Sequence, residues 1–274
     1  MAGESRPSRR LYLLGGSVMW GWVVRDTFTI PSLVAARLRE RGYTDVEVVN
    51  LAQSMFDVAQ GLATLNREVR MGRIPALAVF LDGNNEIAPP RQSGEVGRVL
   101  NEQLLAERFA RTETFGRELL DVVRHSELVR RLTLQGRAAQ GGTDALCDAI
   151  AASYYRQVHA GAALGNAFGF RALFLWQPML ATSGKPRTEW ERSVTRDSTW
   201  SNMVKRCTAA VDSAFGAERS GVFASLTHVF DADTANVFVD DFGHMTERAN
   251  GIVADAIAAL VAQRLGPPTN TRRR

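Results

Sequence analysis

Apolar runs and helix-periodic stretches alternate along the first third of the chain. Leu11-Tyr12-Leu13-Leu14 is a short apolar run stopped by Gly15-Gly16, which predicts a buried strand giving way at Ser17 to an aromatic loop with Trp20, Trp22 and Phe28. Pro31 opens a helix whose period runs through Leu33, Val34 and Leu38 and closes at Arg41-Gly42. Val46 to Leu51 reads as a second strand, and a helix from about Asp57 to Arg70 follows. Leu77-Ala78-Val79-Phe80-Leu81 is apolar throughout, as a strand buried on both faces should be, and stops at Asp82-Gly83-Asn84-Asn85-Glu86. Strand, helix, strand, helix, strand at this spacing predicts a parallel sheet with helices on both sides.

The alternation then breaks. From about Ala88 to Gly169 the chain offers helical segments and a join at Gln140-Gly141-Gly142, which predicts a helical insertion at about 88–170. Gly161, Gly165 and Gly169 fall four apart, a spacing that suits close helix contact or a weak helix end. Ala172 to Trp176 resumes the sheet, and a polar loop, Thr182 to Arg196, leads to a helix from about Thr199 to Phe215. A fifth strand is sought within Val222–Phe230. Asn236-Val237-Phe238-Val239 runs into Asp240-Asp241-Phe242-Gly243-His244. The last helix carries Ile252, Val253, Ala256, Ile257, Leu260 and Val261 and stops at Gly266-Pro267-Pro268. The expected organisation is one domain, 11–266, between a flexible basic N-terminus, 1–10, and a flexible basic tail, 267–274.

Composition narrows the class. A chain of 274 residues buries a sizeable core, and no run of about 18 apolar residues suggests a membrane span. The net charge of +4 comes mostly from arginine, much of it terminal, without a nucleic-acid motif, so no nucleic-acid partner is expected. The N-terminus lacks an apolar signal region, which makes cytoplasm the expected location. Cys147 and Cys207 lie far apart in helical patterns and read as core thiols; no metal-type spacing appears, and no cofactor is expected.

The chemistry-bearing residues gather at the predicted strand ends, where open α/β sheets bind ligands. A serine hydroxyl needs a base, a group to orient that base, and donors for the developing oxyanion. His125 and His159 sit in charged helical stretches and His228 in a strand-like run. His244 alone sits at a strand-to-helix junction, with Asp241 three residues earlier and Asp240 adjoining. Asp241 is the expected partner of one ring nitrogen, the other facing Ser17. The Asn85 amide and the backbone N–H groups of Ser17 and Ala52 are the candidate oxyanion donors.

Gly15-Gly16-Ser17, Gly83-Asn84-Asn85-Glu86 and Asp241-Phe242-Gly243-His244, in that order and at those strand ends, resemble the SGNH (GDSL-type) hydrolase family. Thr29-Ile30-Pro31-Ser32, Val49-Asn50-Leu51-Ala52, Trp176-Gln177-Pro178 and His244 to Asn250 add to the similarity. The resemblance implies a flavodoxin-like three-layer α/β/α fold with a mostly parallel five-stranded sheet. It also implies a serine esterase or deacylase acting on a small acyl ester: Ser17 as nucleophile, His244 as base and then acid, Asp241 as orienting carboxylate, and Ser17, Ala52 and Asn85 as the oxyanion hole. Gly16, Trp20, Gly83 and Phe242 would border the substrate. An acyltransferase on the same triad and a non-catalytic binding domain are the alternatives. The family usually has Asp where this chain has Gly16, and Gly where it has Ala52, a strained alanine if that position needs a positive φ.

Overall fold

The structure, a computed structural model, describes residues 9–98, 142–195, 197–217 and 221–268. The greater part of the predicted insertion, 99–141, lies outside the described residues, as do most of the basic N-terminus and the end of the tail. Five strands, β1 (Arg9–Gly15), β2 (Val46–Asn50), β3 (Leu77–Asp82), β4 (Arg171–Trp176) and β5 (Phe223–Ser225), form one sheet in the order β2-β1-β3-β4-β5. Every pairing is parallel. This is the doubly wound, flavodoxin-like order, and its switch point lies between β1 and β3.

The period of two along each central strand explains the two cores. Leu11, Leu13, Leu77, Val79, Leu81, Leu173 and Leu175 face one layer, and Tyr12, Leu14, Ala78, Phe80, Phe174 and Trp176 face the other. The first layer is covered by α2 (Ile30–Glu40) and the C-terminal helix, Glu247–Leu265. On the other side lie α3 (Val58–Arg70), α4 (Asn84–Ser93), α5 (Gly142–Phe168) and a helix at Ser198–Phe215. Gly161 of α5 meets the sheet, where a β-carbon would come within 2.5 Å of Phe174 Cζ. Among the described residues no helix is long and apolar enough to cross a membrane.

Three local expectations are corrected. Ser17 opens a short helix, α1 (Ser17–Trp20), rather than a loop. The polar loop before the Ser198 helix contains α6 (Glu189–Val194), started by a capping box between Thr188 and Glu191. We call the Ser198–Phe215 helix α7 and the Glu247–Leu265 helix α8.

The third correction concerns the thiols: Cys147 on α5 and Cys207 on α7 form a disulfide. Helical periodicity hid this pair, because only the packing of α5 on α7 brings its two members together. Such bridges persist in oxidising surroundings and are rare in a reducing cytoplasm, which counts against the expected location. Closing a loop of 60 residues removes unfolded-state entropy worth about 4 kcal/mol. Cys147→Ser with Cys207→Ser should therefore lower the thermal midpoint by roughly 10 °C. Calorimetry of the oxidised protein beside the double variant checks this, and equal midpoints would show that the bridge adds nothing.

Candidate active site

Ser17 is brought to the switch point by the abrupt end of β1. Gly15, at φ +143°, lies so close to β3 that a β-carbon there would stand 2.3 Å from the Leu81 carbonyl oxygen. Gly16 then passes beside Asn85, where a β-carbon would come 2.3 Å from Asn85 Nδ2. A bare backbone at these two positions lets the first turn of α1 sit against the turn that follows β3.

His244 arrives on a closed loop. Phe238 and Met245 form an isolated antiparallel bridge, and the Val239 N–H donates to the His244 carbonyl at 2.9 Å. The four residues between must double back, and Asp240 shapes that turn: its Oδ1 accepts the N–H groups of Phe242 at 3.0 Å and His244 at 3.1 Å. Below the loop, buried Glu191 accepts the N–H groups of Val237 and Phe238 and pairs with buried Lys185. From the side, Trp200 Nε1 donates to the Asp241 carbonyl at 3.1 Å.

These supports fix a relay. Ser17 Oγ lies 2.8 Å from His244 Nε2, and His244 Nδ1 lies 2.6 Å from Asp240 Oδ2. The acid facing the ring is Asp240, which corrects the expectation of Asp241. Spacings of three and four both fit a tight loop; the choice falls to the carboxylate that already caps the turn, while the Asp241 backbone serves as the anchor for Trp200. His244 is well sheltered and Asp240 half-buried. His228, the other histidine near a strand end, pairs with Asp231 on the surface.

The candidate oxyanion donors fare differently. Asn85 Nδ2 donates to the Phe56 carbonyl at 2.8 Å, and an amide nitrogen has a second hydrogen to offer. Ser17 is the first residue of α1, and helix-opening N–H groups have no partner within the helix. The Ala52 N–H, by contrast, donates to Asn50 Oδ1 at 3.1 Å. Ala52 is free of left-handed strain, since the described non-glycine residues with positive φ are Val23 and Met55. Asn50 was not singled out as a functional residue in the sequence; its amide also reaches the Trp20 carbonyl at 3.4 Å, tying the turn after β2 to the Ser17 segment.

Of the candidate substrate-bordering residues, Trp20 and Phe242 are exposed, whereas Gly83 is buried. A β-carbon on Gly83 would stand 2.6 Å from Gln177 Cγ, and one on Gly243 would stand 2.8 Å from Gln177 Nε2. The buried Gln177 side chain is thus a spacer between the Asn85 turn and the His244 loop.

Beneath the Asn85 turn lie two buried acids. Burial pushes the Asp82 carboxyl well above its ordinary 3.8, despite a hydrogen bond from Tyr154 Oη at 3.2 Å. Burial, reinforced by Asp82 and Asp57, raises Glu86, which accepts the Val58 N–H at 2.7 Å. Such groups keep protons in the folded chain that the unfolded chain has released. Their stabilisation is therefore complete below the ordinary carboxylate range and is lost as pH rises toward the folded value. Asp82→Asn keeps the acceptor for Tyr154 without the charge. Between about pH 5 and about pH 8, urea midpoints of the wild type should fall more steeply than those of this variant. Parallel slopes would show that Asp82 carries no such proton.

The sequence matches no family model and no curated protein. The fold, however, is shared with solved structures. The acetyl xylan esterase AlAXEase is 12% identical, with 92% of this chain and 99% of that chain covered at a TM-score of 0.55. A lipase/acylhydrolase from Enterococcus faecalis is 15% identical over 94% and 98% of the two chains, at 0.52. A lipolytic protein of the G-D-S-L family from Desulfitobacterium hafniense is 8% identical over 92% and 98%, at 0.51. These structural neighbours are SGNH (GDSL-type) hydrolases, and the chain has their flavodoxin-like fold.

Proposed function

We propose that the protein is a serine ester hydrolase whose nucleophile is Ser17. The observation that carries this reading is the unbroken chain of short hydrogen bonds from Ser17 Oγ through the His244 ring to Asp240 Oδ2. Ser17 Oγ attacks the ester carbonyl carbon while its proton passes to His244 Nε2. Asp240 holds the ring in the tautomer that accepts this proton and stabilises the imidazolium that results. The oxyanion forms between the Ser17 N–H and the second hydrogen of Asn85 Nδ2. His244 then protonates the departing alkoxide, leaving an acyl-Ser17 ester. Water attacks that ester with its proton going to His244, and the carboxylic acid departs as Ser17 recovers the proton.

Ester hydrolases of this fold among the structural neighbours support the same reading. The test is hydrolysis of p-nitrophenyl esters from acetate to decanoate by the purified chain. Turnover above the buffer rate is expected. A folded protein that turns over none of them would count against the reading.

A further inference from the structure

The bonds from Asp240 to the Phe242 and His244 N–H groups lie within one turn. They fix the shape of that turn and leave its distance from Ser17 open. The distance needs holds from outside. Glu191 supplies one at the stem, through Val237 and Phe238. Toward the tip the outside donor is Trp200, whose Nε1 reaches the Asp241 carbonyl at 3.1 Å. That carbonyl lies one residue past Asp240 and three before His244. The Trp200 ring also rests against Phe242, with centroids 5.9 Å apart.

Trp200 is itself firmly seated. It is 3% exposed and stands in the first turn of α7. A buried indole N–H without an acceptor is costly, which ties the ring to the carbonyl it has found. Arg91, in the last turn of α4, sets its guanidinium carbon 5.2 Å from the Trp200 ring centre and pairs with Asp197. Asp197 in turn caps α7, accepting the Thr199 N–H at 2.8 Å. The same α4 carries Asn85 in its first turn, about 9 Å back along the helix axis from Arg91. A continuous path of packed and bonded groups thus runs from the Asn85 turn to the His244 loop.

We propose that Trp200 is a positioning residue for His244, and that Arg91 seats Trp200 so that the Asn85 and His244 sides of the site keep their spacing. For its effect on rate the proposal rests on the Ser17 hydrolase reading; its effect on the imidazole does not. Without the indole N–H the Asp241 carbonyl is released, Asp240 drifts from His244 Nδ1, and the neutral ring samples both tautomers. Proton transfer depends on a ring nitrogen aligned with Ser17 Oγ, so the loss falls on kcat and spares KM.

The experiment compares Trp200→Phe, which keeps a buried ring and removes the donor, with Thr208→Val. Thr208, about two turns further along α7, accepts another buried indole hydrogen bond, from Trp176 Nε1 at 3.1 Å. Both variants lose such a bond, and both should lower the urea midpoint. Trp200→Phe should lower kcat for a p-nitrophenyl ester about tenfold with KM within about twofold. It should also move the two imidazole nitrogen chemical shifts of neutral His244 toward each other, as mixed tautomers do. Thr208→Val should keep kcat within about twofold and both nitrogen shifts at their wild-type values. Arg91 is partly exposed, so Arg91→Met reads the same signals even where Trp200→Phe does not fold. It should lower kcat about threefold alone and add little to Trp200→Phe, since both act along one path. Unchanged kcat and unmoved nitrogen shifts in Trp200→Phe would overturn the proposal, as would an equal loss of kcat in Thr208→Val. The nitrogen shifts are read without turnover, so they decide the proposal even if the wild-type protein hydrolyses no ester.

Discussion

Ser17→Ala and His244→Ala should each lower kcat for a p-nitrophenyl ester by about 10⁴-fold or more, and the double variant should be hardly slower than either alone. On the proposed mechanism the Ser17 Oγ–His244 Nε2 bond of 2.8 Å makes the two side chains one device, and removing either end would remove the activated alkoxide. What remains is the polarisation of the carbonyl by the oxyanion donors, which the variants leave in place. Stopped-time release of p-nitrophenol measures this directly. A His244→Ala variant within tenfold of wild type would mean that another base serves Ser17.

Asp240→Asn should cost about 10³- to 10⁴-fold in kcat, whereas Asp241→Asn should stay within about tenfold of wild type. The carboxylate 2.6 Å from His244 Nδ1 fixes the tautomer; an amide placed there presents a nitrogen donor or a weaker acceptor and lets the ring settle wrongly. Asp241 contributes its carbonyl to Trp200 Nε1, a bond that the Asn substitution retains. Asp240→Asn also keeps an oxygen for the Phe242 and His244 N–H groups, so the loop survives and the loss falls on kcat more than on stability. Steady-state kinetics with urea midpoints on both variants separates these effects. Equal losses for the two would undo the assignment of Asp240.

Burial on both faces is what made the sheet readable. Leu77 to Leu81 and Ala172 to Trp176 are apolar because each residue meets one of the two cores, and Gly15, Asp82 and Trp176 mark where the strands stop. The C-terminal helix was equally plain from its period. Ser17, His244 and Asn85 followed from the sheet, since strand ends in this topology converge. Asp240 did not follow, because a sequence spacing of three or four cannot say which carboxylate turns inward. The Asx turn it makes with Phe242 and His244 is the physical signal, and a turn-forming Asp two residues before an N–H and three before Gly243 was there to be read. The Cys147–Cys207 bridge was invisible for another reason: it depends on the rotation of α5 against α7, which no local pattern encodes. Likewise the β5 strand, three residues long, is too short for periodicity to define. Ala52 looked like a strained replacement for glycine. Its backbone proves to be ordinary, and its N–H is held by Asn50.

The most direct test of the account is to treat the folded protein with a fluorophosphonate and locate the adduct by peptide mass spectrometry. A stoichiometric adduct on Ser17, abolished in Ser17→Ala and strongly slowed in His244→Ala, is the predicted result. An adduct on a different serine, or a folded protein that stays unlabelled, would contradict the central claim that Ser17 is an activated nucleophile.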